Sequence, residues 1–182
     1  MKFASYSNNE TNQISFGFKR DKYIVNIWRS AKWLHQKNGD KTFLDIPLSL
    51  KEALKDWKLN FKKLKQLDTI ITDEDIDKGT VSGKPIANLE SELELMAPVP
   101  DPQSFRDFYA FEQHVRSARK LRGLDMHPDW FKIPIFYFSN PAALFGHKSN
   151  INYPIGTEEL DFELEFAIII ADGGSNISAD SA

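Results

Sequence analysis

At 182 residues with 41% hydrophobic side chains, the chain is long enough for one medium domain, or a small domain and part of another, built on a real core. Its 23 basic and 26 acidic side chains nearly cancel to a formal charge of -3, which leaves no electrostatic footprint for nucleic acid or an anionic membrane. There is no cysteine, so disulfides and thiolate metal sites are excluded and any metal must be held by oxygen or imidazole, a donor set that favours a hard cation. The opening MKFASYSNNE lacks the apolar core of a signal peptide, and the longest apolar run, residues 166–171, is too short to span a bilayer. A cytoplasmic protein is expected.

In chain order, Phe3, Ile14, Phe16, Phe18, Tyr23, Ile24, Val25 and Ile27 alternate with polar residues, as in short antiparallel strands joined by Asn-rich turns. From Ser49, SLKE has the form of a capping box, and Leu50, Ala53, Leu54, Trp57, Phe61 and Leu64 recur at helical spacing, which predicts one amphipathic helix. Lys51, Lys55, Lys58, Lys62 and Lys65 fall on its other face, either an ordinary solvated face or a contact patch. Residues 72–85 are rich in Asp, Lys and Gly and poor in apolar side chains, so they read as a linker near a lobe boundary.

A strand is predicted over residues 93–97. The run PVPDP then restrains the backbone three times and offers Asp101 as an N-cap with Pro102 at the first helical position, predicting a helix from there to about Arg122. On such a helix Phe108, Phe111, Val115 and Ala118 share a face, and Asp107 and His114 lie roughly 20° apart along its edge. That edge suits a site. It also suits a helix-start aspartate that favours the macrodipole and a partly buried histidine bonded to backbone. Residues 133–139 (IPIFYFS) predict a buried strand closed by Asn140-Pro141, and residues 151–154 another short strand. The fold class is α+β, with a β-rich lobe, helix and linker over residues 1–85. The first part of a mixed-sheet domain follows over residues 86–182 and ends on small polar residues without a closing element.

The most informative segment is LDFELEFAIII, in which Leu160, Phe162, Leu164 and Phe166 alternate with Asp161, Glu163 and Glu165 ahead of an apolar run. This predicts a strand with one acidic face that passes inside the domain. Same-face neighbours on a strand are about 7 Å apart, so adjacent carboxylates repel unless water or a cation screens them. Carboxylates are preferred ligands of Mg²⁺, Mn²⁺ and Ca²⁺, and two glutamates two residues apart can reach one ion. A solvated face kept acidic against edge pairing fits the spacing equally well.

DFYAFEQH at residues 107–114, FYFSNPAALFG at 136–146 and LDFELEFAIII at 160–170 together resemble, in order and spacing, the opening motifs of the fumarylacetoacetate hydrolase catalytic domain, over roughly residues 93–172. The resemblance implies an enzyme that cleaves a carbon–carbon bond in a β-dicarbonyl acid with a divalent cation, Mg²⁺ first and Mn²⁺ or Ca²⁺ next. It implies that Asp107, Glu163 and Glu165 are metal ligands and that His114 is the base that activates water. It further implies that Tyr109 and Tyr137 line the substrate pocket, that Arg119 or Arg122 holds a substrate carboxylate, and that the protein is a homodimer. Asp161 matches an acidic position beside the ligands rather than a ligand.

In that chemistry the ion polarises the carbonyl under attack and stabilises the departing enolate, while His114 takes a proton from water. The family's further aspartate ligand in an Asn-Asp-Trp-like motif, a lysine near the substrate and a later glutamate that orients the histidine do not occur before Ala182. The 182-residue chain alone is therefore expected to bind metal weakly and not to turn over. Related domains decarboxylate, isomerise or hydrate through an enolate, and His114 favours hydrolysis among these. A non-catalytic truncated homologue acting as a binding module is the alternative from another class. Two-carboxylate glycoside hydrolysis needs acid and base on opposite sides of a sugar, which neighbouring glutamates on one strand suit poorly.

Overall fold

The computed structural model describes residues 1–8, 13–170 and 172–181. The Asn-rich turn expected after the first strand falls on residues 9–12, and Ala171 at the end of the apolar run and the terminal Ala182 also lie outside the described residues. The architecture is α+β, as expected, and divides into two compact units, Met1–Pro100 with Phe145–Ala182, and Asp101–Leu144.

The first unit is built on a five-stranded antiparallel sheet. Strands β1 (Phe3–Asn8), β2 (Gln13–Arg20) and β3 (Tyr23–Asn26) form consecutive hairpins, and two short strands introduced below flank them. Period-2 alternation sends Phe16, Phe18 and Val25 into the core, where they are almost fully buried. The strand reading ends one residue early, because Ile27 opens helix α1 (Ile27–Asn38) instead of closing a strand. Asn26 is the switch: its side chain accepts from the Arg29 N–H at 2.8 Å as an N-cap, and also donates to the Tyr6 hydroxyl at 2.7 Å. Ile27, Ala31 and Leu34 then recur at helical spacing on the buried face. Gly39, at φ +79°, ends the helix by donating its N–H to the His35 carbonyl, in a left-handed conformation that costs glycine little.

The single helix expected from Ser49 is two. Ser49 accepts from the Glu52 N–H and opens α2 (Leu50–Leu54), and Asp56 accepts from the Leu59 N–H and opens α3 (Trp57–Ile70). An aspartate favours an N-cap over a helix interior, which breaks the run without disturbing its apolar spacing. Asn60, buried on α3, ties the two pieces by donating to the Ala53 carbonyl at 2.9 Å. Leu50, Ala53, Leu64 and Leu67 join the core, and Lys55, Lys58, Lys62 and Lys65 are exposed.

Residues 72–85 are not an open linker. Helix α4 (Asp73–Lys78) starts with a reciprocal capping box between Thr72 and Asp75, and strands β4 (Thr80–Val81) and β5 (Lys84–Pro85) form a small hairpin. Few as they are, the apolar residues here are well placed, since Ile76 and Val81 are buried in the core beside Ile86. Asp75, 3% exposed, accepts from Trp33 Nε1 at 2.9 Å and from Lys37 Nζ at 2.6 Å, fastening α4 to α1. Strand β6 (Ala87–Leu89) pairs with β3, and β7 (Glu94–Leu95) pairs with β1 inside the segment where a strand was expected.

The second unit holds an antiparallel pair, β8 (Phe105–Phe108) with β9 (Phe136–Ser139), and helix α5 (Glu112–Leu121) between them in sequence. β9 lies within the strand expected at 133–139 and is followed by a turn in which Asn140 Oδ1 accepts from the Ala142 N–H at 2.9 Å. It is not buried, with Tyr137 70% and Phe138 69% exposed. The strand expected at 151–154 does not form.

Candidate active site

The helix expected over residues 102–122 is a strand, a three-residue corner and a shorter helix, so Asp107 and His114 do not share a helical edge. Cross-strand pairing outweighs the proline signal. Arg106 and Phe108 stand opposite Phe138 and Phe136, the Arg106 guanidinium lies 5.0 Å from the Phe138 ring centre, and Phe108 and Phe136 are 5.2 Å apart. That face of the hairpin is aromatic. The other carries Asp107, half-buried, paired in register with Tyr137. The hairpin therefore brings together two residues that the sequence reading assigned separately to metal and to substrate.

Tyr109 extends the ladder by one bond, from its N–H to the Ile135 carbonyl at 3.1 Å. The Ala110 N–H then turns back to the Phe108 carbonyl at 2.9 Å, and α5 begins at Glu112 without a side-chain cap. His114 lies in the first turns of α5 and is exposed; the Tyr109 ring meets it edge-on, with centres 5.8 Å apart and planes at 86°. Among the described residues no hydrogen bond or ion pair holds the His114 side chain. Arg119 donates through Nε to the Asp125 carbonyl beyond the helix, and Arg122 donates through Nε to the Ala118 carbonyl at 3.1 Å, which covers an open carbonyl in the last turn of α5. Trp130, which no sequence pattern singled out, donates through Nε1 to the Tyr109 carbonyl at 2.9 Å. The signal that could have found it is chemical: a half-buried indole N–H needs an acceptor.

Glu163 and Glu165 belong to the first unit. A carboxylate oxygen of one lies within 4.8 Å of a carboxylate oxygen of the other, and both residues are exposed. Asp161 accepts from the Phe162 N–H at 2.8 Å. The buried strand expected here is not formed: residues 160–170 carry no strand, Phe166 is fully exposed and Ile168 is 83% exposed. A strand needs a hydrogen-bonded neighbour and a face to pack against, and among the described residues nothing pairs with this segment.

Residues 103–182 match the family model described as fumarylacetoacetate (FAA) hydrolase C-terminal. Over this segment the chain is similar to the fumarylacetoacetate hydrolase family. Comparison with curated proteins gives no match. A fumarylacetoacetate hydrolase domain supports a hydrolase- or isomerase-like function, typically with a divalent metal. The donors present fit such an ion, being carboxylates without thiolate, a hard set suited to Mg²⁺ or Mn²⁺. Ligand oxygens around Mg²⁺ stand about 3 to 4 Å apart when the metal–oxygen distance is about 2.1 Å. Rotation of two exposed glutamate side chains closes that gap.

Proposed function

We propose that the protein is a divalent-metal-dependent hydrolase that cleaves the carbon–carbon bond of a β-dicarbonyl acid of the fumarylacetoacetate or acylpyruvate type. The observation that carries this reading is the close carboxylate pair of Glu163 and Glu165 inside the segment that matches the family. In the proposal these two glutamates hold the ion, Mg²⁺ by preference. When bound, the ion supplies Lewis acidity that polarises the dicarbonyl and offsets the charge of the leaving group.

The chain's own residues do the rest. Neutral His114 takes a proton from water, whose oxygen adds to the carbonyl carbon. The carbon–carbon bond then breaks, its electron pair leaves as an enolate, and the enolate recovers a proton to give a ketone beside the new carboxylic acid. Tyr109 restrains the His114 ring through their edge contact, and Tyr137 flanks the substrate from its place opposite Asp107. Arg119 and Arg122 use only Nε for the backbone bonds described, which leaves the outer guanidinium nitrogens for a substrate carboxylate. The same reading makes the protein a cytoplasmic homodimer. Among the described residues, no helix is long and apolar enough to cross a membrane.

The test is a calorimetric titration of Mg²⁺ and Mn²⁺ into the protein and into a variant carrying Glu163→Gln and Glu165→Gln. Heat of binding in the first and none in the second is expected. Equal binding by both, with the variant folded, would contradict the proposal.

A further inference from the structure

A general base on a solvent-facing helix has little to fix its ring, yet its usefulness depends on presenting one nitrogen in one direction. His114 meets this problem directly: it is exposed, and the Tyr109 ring stands against it in a T-shaped contact. What holds Tyr109 then decides where His114 points. Tyr109 stands at the corner between β8 and α5, its N–H spent on the Ile135 carbonyl and its own carbonyl directed out of the ladder. That carbonyl accepts the Trp130 indole N–H at 2.9 Å.

Trp130 is itself firmly placed. It lies in a single 3-10 turn, Pro128–Phe131, with proline at its start and the His127 side chain accepting from the Asp129 N–H at 3.3 Å. Its neighbour Phe131 packs edge-on to it at 4.9 Å and receives the Arg116 guanidinium at 5.9 Å, while Arg116 Nε donates to Glu112 at 2.6 Å. One short turn thus reaches the corner through Trp130 and the first turns of α5 through Phe131, on either side of His114. Because α5 has no side-chain cap, this brace substitutes for the usual lock on a helix start.

We infer that Trp130 is a positioning residue: its indole N–H fixes the Tyr109 carbonyl and thereby holds the Tyr109 ring against His114. The inference rests on the reading of His114 as the base, but its test does not pass through activity or metal. In the uniformly labelled wild-type protein, proton NMR is expected to show an NOE between the Tyr109 and His114 rings and an indole N–H on Trp130 that exchanges slowly with solvent. In Trp130→Phe, which keeps the aromatic bulk and loses the donor, the NOE is expected to vanish and the His114 ring signals to move toward those of an unstructured histidine. The Val115 amide, deeper in α5, serves as the control for a folded helix.

A folded Trp130→Phe variant that keeps the NOE and the His114 shifts overturns the inference. So does free exchange of the wild-type indole N–H, which decides the matter if the variant fails to fold. Loss of metal binding in the glutamate variant would leave these outcomes unchanged, so the two readings fail separately.

Discussion

Asp75 shows how one side chain can carry several elements. Burial alone would raise its pKa, but hydrogen bonds from Lys37, Trp33 and Thr72 outweigh burial and hold the carboxyl far below the usual carboxylate range. A carboxyl depressed in the folded state contributes stability above its unfolded pKa, and that contribution is lost as pH falls toward the folded value. Acid unfolding below about pH 4 is therefore expected to be shallower in Asp75→Ala than in the wild type. At neutral pH the same substitution removes the side-chain half of the capping box and leaves the Trp33 N–H without its acceptor, at a cost of about 2 to 3 kcal/mol in urea unfolding. A neutral-pH change below about 0.5 kcal/mol would show that the network is incidental.

At the scale of elements, a local rule succeeded where it had no rival. Alternation marked β1, β2 and β3 because one face of each is core, and helical spacing marked α2 and α3 because Leu50, Ala53 and Leu64 are core. Boundaries escaped wherever one residue serves two elements, as Asn26 and Asp56 do. Residues 72–85 looked like a linker because two apolar side chains, Ile76 and Val81, suffice there, and composition does not reveal that both are buried. At the site, Asp107 and His114 were expected along one helical edge, whereas Asp107 lies on β8 and His114 on α5. The partner strand that makes residues 105–108 a strand lies about thirty residues further on, beyond the reach of a periodicity window.

Contacts distant in sequence also fix residues 145–149 on the first unit. The His147 N–H donates to the Leu95 carbonyl on β7 at 3.0 Å, and a Cβ on Gly146 would stand 2.1 Å from that same oxygen. Such an approach is open to glycine alone. Gly146→Ala is expected to strip hydrogen-exchange protection from the His147 amide while the β2 amides keep theirs, and unchanged protection at His147 would contradict the packing described.

For the whole molecule, the absence of cysteine limited any metal to oxygen or imidazole donors before any motif was considered. The motif evidence then fell in the segment that matches the fumarylacetoacetate hydrolase family, residues 103–182. Spacing could not show that the acidic segment stays exposed, because burial of a strand depends on what lies beside it. The central claim is that Glu163 and Glu165 bind one ion. The most direct measurement is an amide NMR titration with Mn²⁺, whose unpaired electrons broaden signals near the ion. At sub-stoichiometric Mn²⁺, the amides of Glu163 and Glu165 are expected to broaden together, and excess Mg²⁺ to restore them together. Broadening at only one of the glutamates, or at neither, would contradict it.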